Sequence, residues 1–168
     1  MSYQEKKTIV SVLAAIILIA AYCIYAFSRV RLGTADFGDL KFWAITILIF
    51  IGIGIAVTII IQIVFHILLS IAIAVRKKLE NEKCDDRDIE KTIKLEMVED
   101  EMDKLIELKS MRISFIIVGA GFVSALLSLI FYSSVAVLLN ILFISFFVGS
   151  LFEGLAKLYY YRKGLKNG

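Results

Sequence analysis

The sequence contains no proline, two cysteines, one histidine and one tryptophan. Each scarcity excludes something. Cys23 and Cys84 are far apart and form no CxxC pair, so neither a disulfide framework nor a zinc knuckle can be built. They read as a small membrane-facing side chain and a reduced surface thiol. There is no Walker loop, no HExxH, no nucleophile elbow and no dinucleotide-binding glycine pattern. No cofactor and no resident metal is therefore expected. Basic excess is also missing where it would matter. The charged middle, Arg76–Arg112, has 12 acids against 10 bases, which argues against nucleic acid and against a polybasic lipid patch.

What is abundant is apolar surface. Hydrophobic residues make up 60% of the chain, with mean hydropathy +0.84, where soluble domains sit near about 45–50%. The excess is gathered in four runs, Thr8–Phe27, Phe42–Val75, Ile113–Tyr132 and Val135–Leu158. Each is long enough to cross a hydrocarbon core of roughly 30 Å as a helix. The expected fold is an all-α membrane protein. Its four transmembrane helices form two hairpins joined by a charged, largely helical cytoplasmic connector, within a single domain over 1–168. Lys6 and Lys7 before an apolar run resemble a signal peptide, but the run exceeds the usual apolar core of such a leader, and Tyr22 is too large for a lipoprotein box before Cys23. The segment reads as a retained span.

The first span carries no charge and many small residues, among them Ala14, Ala15, Ala20 and Ala21, which suit close helix contact in lipid. Tyr22, Tyr25 and Trp43 read as interfacial aromatics. Asp36 or Asp39 can cap the second helix. The second run is 34 residues long, ~51 Å as a helix, so it must tilt, project, or begin in the interface. In the connector, Ile89, Ile93 and Met97 share one helical face, and Leu95, Val98, Met102, Leu105 and Ile106 share nearly the opposite one. Either two helical pieces breaking near Lys94–Glu99 or one helix buried between partners would accommodate both faces. The second piece is expected to run through Arg112 into the third span, because neither proline nor glycine interrupts it. Tyr132–Ser134 is a very tight turn, and Ala120, Ser124 and Ser128, Ser145 with Gly149, and Ser150 with Gly154 form small-residue stripes. Tyr159, Tyr160 and Tyr161 with Arg162 and Lys163 read as an aromatic belt with a basic anchor.

Of the 19 lysines and arginines, 16 fall on the two termini and the connector, leaving Arg29, Arg31 and Lys41 on the other side. Positive residues stay inside, so both termini and the connector are expected in the cytoplasm, and the protein in the cell membrane. Arg76–Leu79 and Arg162–Leu165 end the two hairpins similarly, a faint sign of duplication.

Polar residues within spans are functional candidates by default. Thr58, Gln62, His66 and Ser70 recur every fourth position on the second run, and Glu153 is the charge set deepest in the fourth. His66 lies ten residues before Arg76 and Glu153 nine before Arg162, which puts the two within ~1.5 Å in depth if both basic residues mark the same interface. A His66–Glu153 contact could hold a proton or cation, with Gln62 beside it. Against this, Glu153 can pair with Lys157 on its own helix, and His66 can simply bond a neighbouring helix. The acid clusters Asp85, Asp86, Asp88 and Glu99, Asp100, Glu101, Asp103 admit magnesium-dependent transfer chemistry, but interleaved lysines favour a solvated charged helix.

Asp100-Glu101-Met102-Asp103-Lys104-Leu105-Ile106-Glu107-Leu108-Lys109-Ser110-Met111-Arg112, running into an apolar span, resembles a stretch in small uncharacterised prokaryotic integral membrane proteins. The family pattern is Asp-Glu-Arg-Asp, an apolar pair, Glu, a basic residue, then Arg at the membrane edge; Met102 stands where the family tends to have Arg. The resemblance implies a membrane protein with a cytoplasmic charged helix, and an ordered network of Asp103, Glu107 and Arg112 at the inner interface. It implies no activity.

The leading functional expectation is a non-enzymatic scaffold, regulatory or partner-binding protein, embedded in the lipid bilayer and contacting a cytoplasmic or membrane protein through 85–111. The second is a small homo-oligomeric channel or transporter for protons or cations using the Thr58–Ser70 stripe and Glu153. A metal-dependent membrane enzyme ranks last.

Overall fold

The computed structural model describes residues 3–80 and 101–164. They form four helices: α1 (Tyr3–Arg31), α2 (Leu40–Glu80), α3 (Glu101–Tyr132) and α4 (Val135–Lys163). All four are long and apolar enough to cross a membrane, and little of each candidate span is buried inside the protein. Large apolar side chains such as Ile17, Ile60, Ile116 and Phe131 point outward, as they must when the surrounding solvent is lipid. The protein is a four-span membrane protein.

Each helix end has a local cause. Gly33 takes φ 65°, and the Gly33 N–H to Val30 and Thr34 N–H to Arg29 carbonyl bonds close α1 in a Schellman turn. Asp39 caps α2, its Oδ1 accepting from the Phe42 N–H at 3.0 Å. The turn between α3 and α4 is two residues, with Ser133 at φ 47° and Ser134 extended as the N-cap of α4. Ser134 Oγ donates to the Phe37 carbonyl, tying this turn to the α1–α2 loop. These two connections define the loop end of the bundle; the other end holds the start of α1 and the end of α4.

Helix α4 is the hub. It packs on α1, α2 and α3, whereas α3 touches no described helix but α4. The α3–α4 seam is close because glycines leave room: Gly121 lies against Ser145, and a Cβ at Gly149 would sit 2.9 Å from Val118 Cγ2 and 3.2 Å from the Ser114 carbonyl. Gly154 lies against Val12 of α1. Of the stripe Ala120, Ser124, Ser128, the first two are exposed and only Ser128 is buried. The packed face of α3 is offset from it, through Ser110, Gly121, Ala125 and Ser128.

Tyr22 and Trp43 are each only 1% exposed, packed within the bundle. Tyr22 meets the rings of Phe50 and Phe143 and donates a hydrogen bond to Asn140 of α4. Trp43 stacks on Phe37, and its Nε1–H donates to the Asp36 carbonyl at 3.0 Å. Each buried ring has its polar tip satisfied by a partner inside the protein.

Helix α2 runs unbroken for 41 residues, ~61 Å at 1.5 Å per residue, and so exceeds any bilayer core. Helix α3 passes from Glu101 through Arg112 into the apolar run without interruption. The break near Lys94–Glu99, the faces built on Ile89, Ile93, Met97, Leu95 and Val98, and Cys84 lie outside the described residues.

Candidate functional site

Polar residues that are scattered in sequence meet at the end of the bundle opposite the loops. On α4, Glu153, Lys157 and Tyr161 follow at four-residue spacing and share a face; on α3, Asp103 and Glu107 do the same. The tight turn makes the two helices antiparallel, so the pairs meet in reverse order. Tyr161 Oη donates to Asp103 Oδ1 at 2.9 Å. Lys157 Nζ lies 2.9 Å from Glu153 Oε1 and 3.5 Å from Glu107 Oε1. From α1, Glu5 is buried, and its Oε1 lies 3.8 Å from Arg162 Nε.

Lys157 and Glu153 are each about one-fifth exposed, while the Glu107 carboxylate is nearly half exposed. The Lys157–Glu153 pair is thus shielded from bulk water more than a surface pair, and the Glu107 contact is the looser of the two. One ammonium between two carboxylates leaves a local negative charge.

A cavity of about 260 Å³ opens beside this ladder. Gln4, Lys7, Thr8 and Ser11 of α1 line it, facing Asp103 and Glu107 of α3 and Glu153, Lys157 and Tyr161 of α4, with Gln62 reaching it from α2. A second, larger and mostly apolar cavity of about 520 Å³ lies between α1, α2 and α4, nearer the loop end. Ser11, Ala15, Gln62 and Ser150 border both.

Among the residues singled out from sequence, Gln62 and Glu153 line one cavity, and Asp103 and Glu107 join the same cluster. Thr58 and Ser70 spend their hydroxyls on their own helix, donating to the carbonyls of Gly54 and His66 at 2.9 Å. His66 is exposed, and no hydrogen bond or ion pair joins it to Glu153, whose partner is Lys157. Equal depth on two helices did not bring the pair together: His66 stays exposed on α2 while Glu153 turns to Lys157 on its own helix. Arg112 is exposed, and Asp103 and Glu107 turn to α4 instead. Lys157 and Tyr161, read from sequence as a helix-internal partner and a belt aromatic, turn out to bridge helices. Their signal was the shared four-residue spacing on α3 and α4 across a tight turn.

Among the described residues no three His, Cys, Asp or Glu side chains converge as a metal site; Asp85, Asp86, Asp88, Glu99 and Asp100 lie outside them. The arrangement can hold a charged polar group beside an apolar one. Comparison with family models, curated proteins and solved structures returned no match. The described residues thus show a four-span membrane protein, by the length and composition of its helices, with a cluster of charged residues at the end of the bundle where α1 starts and α4 finishes.

Proposed function

We propose that the protein is a non-enzymatic component of the cytoplasmic membrane that binds a protein partner through the segment leading into α3. The carrying observation is the apolar surface of that segment. Met102, Leu105 and Leu108 are each about half exposed, on a stretch that precedes the membrane edge marked by Arg112. Residues 101–112 extend α3 by ~18 Å beyond what a bilayer core requires. Outside lipid, exposed apolar side chains of this size favour a protein contact. The cytoplasmic placement rests on charge, since Lys6, Lys7, Arg162 and Lys163 mark the same end. The local resemblance of Asp100–Arg112 to small prokaryotic membrane proteins is part of this reading.

Photocrosslinking residues placed at Leu105 and Leu108 in intact membranes test it. One discrete protein adduct at both sites, absent with the crosslinker at Ile116 within the span, is the expected result. Adducts to lipid alone at all three sites would remove the proposal.

A small oligomeric channel or transporter for protons or cations is the second reading, and the polar cavity with Gln62, Glu153 and Lys157 favours it. A four-helix protomer is too small to enclose much of a pathway, so this reading calls for a homo-oligomer. Purified protein in liposomes that passes neither protons nor cations over a wide pH range would dispose of it.

A further inference from the structure

The two cavities that share Ser11, Ala15, Gln62 and Ser150 have opposite character. The one toward the chain termini is ringed by charged groups; the one toward the loops is lined by Leu18, Ile51, Ile55, Phe146 and Phe147. A third, wholly apolar hollow of about 450 Å³ continues the series toward the loops, sharing Ile51, Phe146 and Phe147 with the second. Polar head space therefore leads into an apolar groove directed along the bundle. This is the shape of an amphiphile with its head at one membrane face and a chain running inward.

Charge selects the head. The polar cavity carries the carboxylates of Asp103, Glu107 and Glu153 against the ammoniums of Lys7 and Lys157, a net charge of −1 with all five ionised. Lys157 is already committed to Glu153 and Glu107. Lys7 forms no ion pair among the described residues, and the half-exposed Glu107 is held by Lys157 only at 3.5 Å. A head bearing an ammonium next to a phosphate is complementary to this set: the ammonium can approach Glu107 and the phosphate Lys7. A purely anionic head would meet the net negative charge of this lining, with Lys7 alone to answer it.

We propose that these cavities form a binding site for one phospholipid with a zwitterionic, primary-amine head of the ethanolamine type, because a primary ammonium donates hydrogen bonds to the Glu107 carboxylate and a quaternary one cannot. Its head occupies the charged cavity and one acyl chain follows the groove past Ala15 and Ser150. The site is independent of the partner surface on α3 and stands or falls separately from it.

The test is native mass spectrometry of the purified full-length protein, delipidated and then offered phosphatidylethanolamine, phosphatidylcholine, phosphatidylglycerol or tail-less phosphoethanolamine. Retention of phosphatidylethanolamine at least about tenfold above the other two lipids, ~1.4 kcal/mol, is expected, with no retention of phosphoethanolamine. Glu107→Gln should erase that preference, weakening phosphatidylethanolamine and, with one carboxylate fewer in the cavity, raising phosphatidylglycerol. Ala15→Phe, at the junction of the cavities, should weaken every lipid. Equal retention of the three lipids overturns the proposal, and so does tight binding of tail-less phosphoethanolamine, which would mark a site for a free polar solute. Should either variant fail to fold, the head-group comparison on the unmodified protein decides alone.

Discussion

Tyr22 of α1 donates a hydrogen bond to Asn140 of α4, 118 residues away, from a ring that is almost fully buried. Asn140 in turn donates to the Ala136 carbonyl at 2.8 Å. The contact is the polar pin of the α1–α4 seam near the loop end. Hydrogen bonds between membrane helices average well under 1 kcal/mol in double-mutant cycles, because the separated helices find other partners. Tyr22→Phe keeps the packing against Phe50 and Phe143 and removes only the donor, so it should destabilise by about 0.5–1.5 kcal/mol. A double-mutant cycle with Asn140→Leu, followed by reversible unfolding in mixed micelles, should return a coupling of that size. Additive losses would show that the two side chains do not interact.

Lys157 is the one cation held between Glu153 and Glu107. Lys157→Met leaves two carboxylates side by side in a partly shielded place, which is worse than losing either acid alone. The expected order in melting temperature is Lys157→Met lowest, then Glu153→Gln, with Glu107→Gln least affected because its carboxylate is most exposed. Adding Glu153→Gln to Lys157→Met should recover part of the loss, and no recovery would mean that the damage came from packing of the lysine stem.

The gross architecture was legible because length and hydropathy decide it: a run of twenty or more apolar residues has few options besides a span. Continuity of α3 through Arg112 followed from the absence of any breaker, and the Glu153–Lys157 pair from spacing on one helix. What sequence left open depends on which faces meet. Thr58, Gln62, His66 and Ser70 share a winding stripe, yet only Gln62 reaches the charged cavity and Thr58 the apolar one, while His66 and Ser70 line neither, since in lipid every face of α2 is apolar enough to point anywhere. The burial of Tyr22 and Trp43 was hidden for a related reason. An aromatic ring with a polar tip suits a lipid interface and a helix seam alike, and its partners, Asn140 and the Asp36 carbonyl, come from tertiary packing and the loop. Glu107–Lys157 needed the register of α3 on α4, which packing at Gly121 and Gly149 sets.

That register yields a paired prediction. A methyl group at Gly149 would meet Val118 at 2.9 Å and Ser114 backbone at 3.2 Å, while one at Gly119 meets nothing within 4 Å. Gly149→Ala must push α3 from α4 and should destabilise by about 1–3 kcal/mol, as overpacking does. Gly119→Ala should be neutral or slightly stabilising, because alanine is the better helix former. Thermal unfolding of the two variants side by side checks it; matching melting temperatures would mean that the helices do not approach at Gly149.

The expected orientation of the bundle rests on where the bases lie. Lys6, Lys7, Arg162 and Lys163 gather at the end with the charged cavity, and Arg29, Arg31 and Lys41 at the loop end; the count, together with the ten bases of 76–112, favours the former as the cytoplasmic side. In a background with Cys23→Ala, Cys84 should resist a membrane-impermeant maleimide applied to intact cells and react once the membrane is permeabilised. Thr34→Cys, made with both native cysteines replaced by alanine, should react at once, since Thr34 is exposed in the α1–α2 loop. The reverse pattern would invert the protein in the membrane, moving the charged cavity and the Met102–Leu108 surface to the outside and ending any role for a cytoplasmic partner.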